Sequence, residues 1–287
     1  MQREQFDLNA RIEQVHWWFR ARRRVLRELI EQVAPPSPKT TVVDVGCGTG
    51  ANIAALAGAY HCIGFDPSAA AIRHAKRRFP NVRFVCGTAP EDFDERARTA
   101  RLFMLNDVLE HVPDDFLLLS RVLAAAEPGS HVLITVPADR SLWSAHDESH
   151  GHYRRYERSR FERLWAGLPV EARLVSHFNA RLYPAVKLVR TLNRWRGGAA
   201  GEAGTDLRLS SPLVNRTLER VFAGERRVLG DLLRGRRQRG YRYGVSLVAL
   251  LERLPGRIDA APRPADVPAD DFPVPVYSAA IAARAAS

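Results

Sequence analysis

Val42-Val43-Asp44-Val45-Gly46-Cys47-Gly48-Thr49-Gly50 runs from a short apolar strand, through three alternate glycines, into a helical pattern. Glycine at such a turn lets the main chain approach a ligand where a Cβ would collide. The N-terminus of the following helix also offers N–H groups that lack an intrahelical acceptor. The stretch therefore predicts a nucleotide-like ligand at the end of a strand. It does not say which one, because Gly46, Gly48 and Ala51 equally satisfy the glycine spacing of dinucleotide sites. A tight strand-to-helix reversal would also need glycines here without any ligand.

Around this turn, short apolar runs bounded by Gly, Pro or Asp alternate with helical patterns. Strands are expected near 41–45, 61–65, 82–86, 101–105 and 131–136, with helices near 51–58, 68–78 and 114–126. A further strand at 172–178 leads to a helix from Arg181 to Trp195, a Gly-rich break at 197–204 and a long helix at 212–234. That helix carries the apolar stripe Val214, Leu218, Val221, Phe222, Leu229 and Leu232, and Tyr243 to Leu250 reads as the last strand. Strands alternating with helices predict an α/β fold, a Rossmann-like doubly wound, mostly parallel seven-stranded sheet. Upstream, Ile12, Val15, Phe19, Leu26, Leu29 and Val33 mark a helix over 5–33 that ends at Pro35-Pro36. The expected organisation is an N-terminal helix and lid (1–38), a cofactor-binding core (39–178) with a lid insertion at 139–160, a helical cap with the last strand (179–255), and a loose Pro/Ala-rich tail (256–287).

The 287 residues, 46% hydrophobic and 26% charged, suit a packed domain and exclude a disordered or fibrous chain. No stretch approaches the roughly 18 uncharged apolar residues of a membrane span, and no apolar core follows Arg3 and Glu4. Cys47, Cys62 and Cys86 form no CxxC pattern, so a cytoplasmic location is expected rather than a disulfide framework or a cysteine zinc site. The net charge of +11 is uneven. Residues 1–150 carry 18 basic and 19 acidic side chains, whereas 151–287 carry 25 and 13. Only Lys39, Lys76 and Lys187 are lysines, a bias that a GC-rich genome would produce; an anionic partner is the other reading. In the 181–196 helix, Lys187, Arg190 and Arg194 lie on one side and Leu182, Val186 and Val189 on another. That pattern fits either a solvated face or peripheral contact with an anionic inner-membrane surface.

The second expected strand ends in Phe65-Asp66, where a carboxylate can accept hydrogen bonds from two ribose hydroxyls. The fourth is followed by Leu105-Asn106-Asp107-Val108-Leu109-Glu110-His111-Val112-Pro113, and Glu127-Pro128-Gly129-Ser130 leads into the fifth. In this order the segments resemble the class I S-adenosylmethionine-dependent methyltransferases over about 41–137. The resemblance implies S-adenosylmethionine as cofactor. Asp44, Gly46, Cys47, Gly48 and Gly50 would surround its methionine end, Asp66 would hold the ribose, and Asn106, Asp107 and His111 would border the sulfonium. Asp66, preceding Pro67, could instead simply cap the next helix. One departure concerns adenine. Where many members carry an acidic residue after the third strand, this chain reads Cys86-Gly87-Thr88-Ala89-Pro90-Glu91, so Thr88, Glu91 or the main chain would have to serve.

Asp107, Glu110 and His111 also have a spacing similar to a divalent-ion cluster in some quinone-biosynthesis and RNA-end methyltransferases. Glu-His-Val occurs at this place in metal-free members too, and no metal is the reading adopted. After the fifth strand, Trp143 to Tyr156 concentrates His, Asp, Tyr and Arg where open α/β sheets place their chemistry. With His16-Trp17-Trp18-Phe19 and the following arginines, this segment resembles a bacterial methyltransferase subgroup linked to glycan or lipid modification. His146, His150 and His152, with Asp147 as orienting partner, are candidates for the base. Trp17, Trp18, His150, Arg154, Arg155 and Tyr156 are candidate acceptor contacts, with packing, or pairing of the arginines to an acidic rim at 91–95, as the structural alternative. The function expected is methyl transfer, by in-line attack, to oxygen of a small-molecule, glycan or lipid-linked acceptor. The rivals are a nucleic-acid methyltransferase and a non-catalytic cofactor-binding module; nucleic acid is not the expected partner, because no added RNA-binding module is present.

Overall fold

The structure is a computed structural model that describes residues 7, 10–195 and 209–258; of 193–195 only the main chain is described. The 197–204 break, the Arg194 side chain and residues 259–287 of the expected tail lie outside the described residues.

Seven strands form one sheet: β1 (Ser37–Val45), β2 (Tyr60–Asp66), β3 (Arg83–Cys86), β4 (Leu102–Asn106), β5 (His131–Pro137), β6 (Val170–Phe178) and β7 (Ser246–Arg253), in the order β3-β2-β1-β4-β5-β7-β6. β1 to β5 pair in parallel, and β7 runs antiparallel to both β5 and β6. The parallel strands read as unbroken apolar runs because helices cover both faces. Successive residues point to opposite sides. Val43, Phe103 and Ile134 join Phe116, Leu119 and Leu123 on one face, while Val42, Leu102 and Leu133 meet Val25, Leu26 and Leu29 on the other.

The second-face helix, α1 (Trp17–Val33), buries Ala21, Arg22, Val25, Leu26, Leu29 and Ile30, a single stripe at helical spacing. The expected 5–33 helix is interrupted: among the described residues 7 and 10–12 are helical, 13–16 form a turn, and the helix resumes at Trp17. α1 starts at Trp17 because His16 Nδ1 accepts the Trp18 amide at 3.2 Å, and the turn before it carries the Glu13 carboxylate onto Thr49 Oγ1 at 2.9 Å. Between the strands lie α2 (Ala51–Ala54), α3 (Ala69–Arg78), α4 (Glu95–Arg98) and α5 (Asp115–Ala125). Ser68 caps α3 and Asp114 caps α5 through bonds to the amides of Ala71 and Leu117.

The 139–160 region, expected as a lid insertion, is built from short elements. It folds into a 3-10 turn (Arg140–Leu142), α6 (Ala145–His150) and, after an extended stretch, α7 (Arg158–Arg163). Asp147, His150, His152, Arg154, Arg155 and Tyr156 are all buried within it. Next come α8 (Tyr183–Trp195), α9 (Pro212–Ala223) and α10 (Glu225–Leu233). The single helix expected at 212–234 is divided at Gly224, where Arg181 approaches closely and Glu225 turns in to accept the amides of Ala180 (2.8 Å) and Arg181 (2.9 Å). On α8 the two expected sides are not cleanly separated: Leu182 packs against the core as expected, but Val189 of the same side is exposed and Arg190 of the basic side is half-buried. Lys187 turns toward Asp139 and Arg190 toward the Leu142 carbonyl, leaving Leu188, Val189 and Leu192 exposed. No described helix is long and apolar enough to cross a membrane.

Candidate active site

The C-terminal ends of β1, β2, β4 and β5 open toward one edge of the sheet, and the chain departs from ordinary backbone geometry there. Gly46 and Gly48 have φ of +69° and +54°. A Cβ on Gly46 would lie 2.7 Å from Val108, whereas one on Gly48 would project into open space above the turn. Two non-glycine residues on this edge, Asp107 (φ 55°) and Asp139 (φ 58°), also take positive φ. Such strain persists where surrounding structure over-determines it, commonly at functional sites.

Asp66 does structural work while keeping accepting capacity. Its Oδ2 accepts the Gly48 amide at 2.9 Å and Oδ1 the Ser68 amide at 2.8 Å, so it ties the glycine turn to the start of α3. Each oxygen retains a second lone pair. Burial raises its carboxyl above the usual carboxylate range despite these bonds. Asp44 is more demanding. It is 1% exposed, and neither carboxylate oxygen meets hydrogen-bond geometry. Burial pushes it up to about 7, against the pull of the Arg22 guanidinium. Asn106, beside it, is buried with Nδ2 also unpartnered.

Arg22, which sequence periodicity hid inside a helix face, reaches over this edge from α1. It holds Asp107 Oδ2 at 2.6 Å, donates to Thr135 Oγ1, and lies 4.9 Å from the Trp18 ring. Trp18 thus borders the site through Arg22. Trp17 turns away, donating its amide to Asn215 and setting its ring against Phe222 of α9. A second anchor binds the N-terminal segment to the glycine turn: Glu13 accepts Thr49 Oγ1 and pairs with Arg78.

Beyond the end of β3, Thr88 is exposed, but Glu91 is paired with Arg121 at 2.7 Å. Asp92 occupies the turn instead. Its Oδ2 accepts the Thr88 amide at 2.7 Å and would meet a Cβ on Gly87 at 2.5 Å. Nothing in the spacing singled out Asp92; only its carboxylate could have drawn notice.

The candidate acceptor residues separate into two groups. Arg154, 2% exposed, donates to the carbonyls of Leu109, Val112 and Pro113, and Arg155 to Ala138 O and Asp147. Tyr156 Oη bonds Asp115, which also receives Arg160. These three residues brace the wall rather than face a ligand, and the carboxylates they meet are Asp115 and Asp147, not the 91–95 rim. The histidines come together. His146 and His150 rings lie 4.1 Å apart, and His111 and His152 lie 4.6 Å apart, edge to face. Asp147, fully buried and held far below the usual carboxylate range by Arg155 and His152, accepts His152 Nδ1 at 2.9 Å. Burial and neighbouring imidazoles push His111 and His146 down and His150 to about 4. His146 is half-buried, while His150 and His152 are buried. The expected pairing of Asp147 with a loop histidine is therefore present, on His152.

Three comparisons bear on this geometry. Trans-aconitate 2-methyltransferase of Deinococcus radiodurans is 34% identical over 131 residues, covering 44% of this chain and 49% of that protein. The Variovorax paradoxus protein of the same name is 33% identical over 126 residues, 42% and 46% of the two chains. The chain thus spans about half the length of these relatives. Among solved structures, the plantazolicin methyltransferase BpumL in complex with SAH superposes with a TM-score of 0.51 at 14% identity, covering 88% of this chain and 90% of that one. A methyltransferase in complex with the Haloferax volcanii Trm112 activator gives 0.51 at 15% identity over 87% and 97%. At these identities the likeness is one of fold, and it agrees with the mostly parallel sheet ending in an antiparallel seventh strand. Residues 18–183, from the start of α1 through the whole of this edge, match the methyltransferase-domain family, and to that family the chain belongs.

Proposed function

We propose that the chain binds S-adenosylmethionine at the glycine turn and transfers its methyl group to oxygen of a small-molecule, glycan or lipid-linked acceptor. The observation that carries the cofactor reading is Asp44. A buried carboxylate whose oxygens meet no full hydrogen-bond geometry, its charge offset only in part by Arg22 and the Asn106 amide, beside a turn open above Gly48, is suited to an ammonium group. The residues fit the cofactor end to end: Asp44 and Asn106 for the amino-acid portion, Asp66 for the ribose hydroxyls, and Thr88 and Asp92 for the adenine edge.

When bound, S-adenosylmethionine supplies a methyl group on a sulfonium, which a nucleophile takes in line while the sulfur–carbon electron pair returns to sulfur. The chain's part is to orient, to exclude water and to take one proton from a hydroxyl acceptor. Trp18 and Arg22 close the site from the α1 side, and the buried α6 region closes it from the β5 side. His146 is proposed as the proton acceptor. Its imidazole is neutral near pH 7 and it is the least buried histidine of the α6 region, while Asp147 fixes the neighbouring His152. The relatives named trans-aconitate 2-methyltransferase support a small-molecule acceptor.

Calorimetric titration with S-adenosylhomocysteine tests the cofactor reading, and labelled S-adenosylmethionine incubated with bacterial small-molecule, lipid, glycan and RNA fractions tests the acceptor. Folded protein that does not bind S-adenosylhomocysteine overturns the proposal. Label in RNA alone would move the chain to the nucleic-acid reading, and binding without turnover on any fraction to the non-catalytic one.

A further inference from the structure

We propose that Glu110, His111 and His152 form a binding site for one divalent transition-metal ion, with an imidazole, imidazole, carboxylate donor set and positions left open toward the acceptor side.

One ligand atom from each of the three residues lies within 4.8 Å of the others. Glu110 is 0% exposed, and apart from its own main-chain amide neither carboxylate oxygen has a partner. A buried carboxylate without a partner is costly, and a cation is the usual remedy. Both histidines have one ring nitrogen already engaged. His152 gives Nδ1 to Asp147 at 2.9 Å, and His111 bonds the His150 main chain. An acceptor on one nitrogen fixes the ring and leaves the other for an ion, the arrangement usual for metal-binding histidine.

The set differs from the one the local spacing suggests. Asp107 is drawn off by Arg22 at 2.6 Å, and its place is taken by a histidine distant in sequence. The wall contacts put that histidine there: Tyr153 donates its amide to Glu110 O at 2.7 Å, and Arg154 holds Leu109 O and Val112 O. Metal–ligand bonds of about 2.1 Å place donor atoms roughly 3 to 3.5 Å apart. Loading therefore draws the three groups inward by an ångström or so, a movement open to a carboxylate that no other group restrains.

Two imidazoles and one carboxylate suit zinc-like or manganese-like ions rather than magnesium or calcium, and three protein ligands leave room for a further oxygen. If that oxygen is the acceptor hydroxyl, the ion lowers its proton affinity. The proton then passes to His146, the oxygen forms the new bond to the methyl carbon, and the sulfur keeps the electron pair of the bond that breaks. This role rests on the methyl-transfer reading; the site itself does not.

The test uses the full chain, dialysed against chelator and then titrated with Zn²⁺ or Mn²⁺ alone. Equilibrium dialysis with elemental analysis reads the stoichiometry, and Tm and circular dichroism confirm folding. One ion per chain is expected, with Glu110→Gln and His152→Asn each weakening binding at least tenfold. Failure of the unsubstituted chain to hold an ion, or equal binding by both folded variants, overturns the site. Should neither variant fold, Co²⁺ added to the unsubstituted chain decides: ligand-field bands of a low-coordinate, nitrogen-ligated ion are expected, and the spectrum of the aqueous ion refutes the proposal. Titration with S-adenosylhomocysteine in excess chelator is scored separately, so loss of the metal site and loss of the cofactor reading are distinguishable.

Discussion

Asp44 makes cofactor affinity depend on pH in a direction set by burial. Its carboxyl stands at about 7 against an ordinary value of 3.8, chiefly because no solvent reaches it. Three units correspond to about 4 kcal/mol of preference for the protonated form. The folded chain holds this proton more tightly than the unfolded chain does. Its contribution to stability is therefore complete below the unfolded value and is lost as pH rises toward 7. An ammonium group reverses the preference. Well below pH 7 each unit of acidification should weaken S-adenosylhomocysteine binding by about tenfold, and between pH 7 and pH 5 by about fiftyfold, with a plateau above 8. Calorimetry on the full chain across pH 5 to 8.5 measures this. Asp44→Asn should bind more weakly at pH 8 and show a flat profile, which separates Asp44 from the also-raised Asp66. An affinity of the unsubstituted chain that does not change with pH, or a profile that survives in Asp44→Asn, would remove Asp44 as the titrating group.

Other outcomes follow from the same contacts. Asp66→Ala should weaken S-adenosylhomocysteine by about tenfold or more through loss of charge-assisted bonds, and unchanged affinity in calorimetry removes it from the site. Asp147→Asn leaves Arg155 buried without its counter-charge and should lower stability by about 3 to 5 kcal/mol in urea unfolding; a loss under 1 kcal/mol would contradict the brace. Tyr156→Phe removes one buried bond to Asp115 and should cost about 1 to 2 kcal/mol by the same assay, with cofactor affinity unchanged. The ligand-free chain should also have a lower Tm at pH 8 than at pH 5.5 by way of Glu225, held at about 7 by burial, and Glu225→Gln should shrink that difference.

The sheet was legible because strands buried on both faces write uninterrupted apolar runs, and Val42 to Gly50 marked the edge on which everything else converges. Asp44 and Gly48 could be placed at that edge from this stretch, and Asp66 from the end of the next strand, because their positions depend on local geometry. The start of α1 could not, since Glu13 is pulled out of helix by Thr49 and Arg78 from elsewhere in the chain. Nor could the fate of Arg154 and Arg155. A charged side chain reads as solvent-facing, and their partners are mostly carbonyls, which every residue carries and no sequence displays. His152 was visible as a histidine but not as a neighbour of Glu110, because that contact depends on how Tyr153 and Arg154 fold back on the loop after β4.

The position of β7 has a consequence for how the molecule is made. β7 enters between β5 and β6, pairing along Ser246–Arg253 with both. Until that segment has left the ribosome, β5 presents an open edge of unsatisfied main-chain groups, and β6 has no strand to pair with among the described residues. The sheet thus closes by a late, long-range insertion, the kind of step that slows folding and exposes partly built intermediates to aggregation. A chain interrupted before Ser246 is expected to carry the complete glycine turn and yet be captured by chaperones.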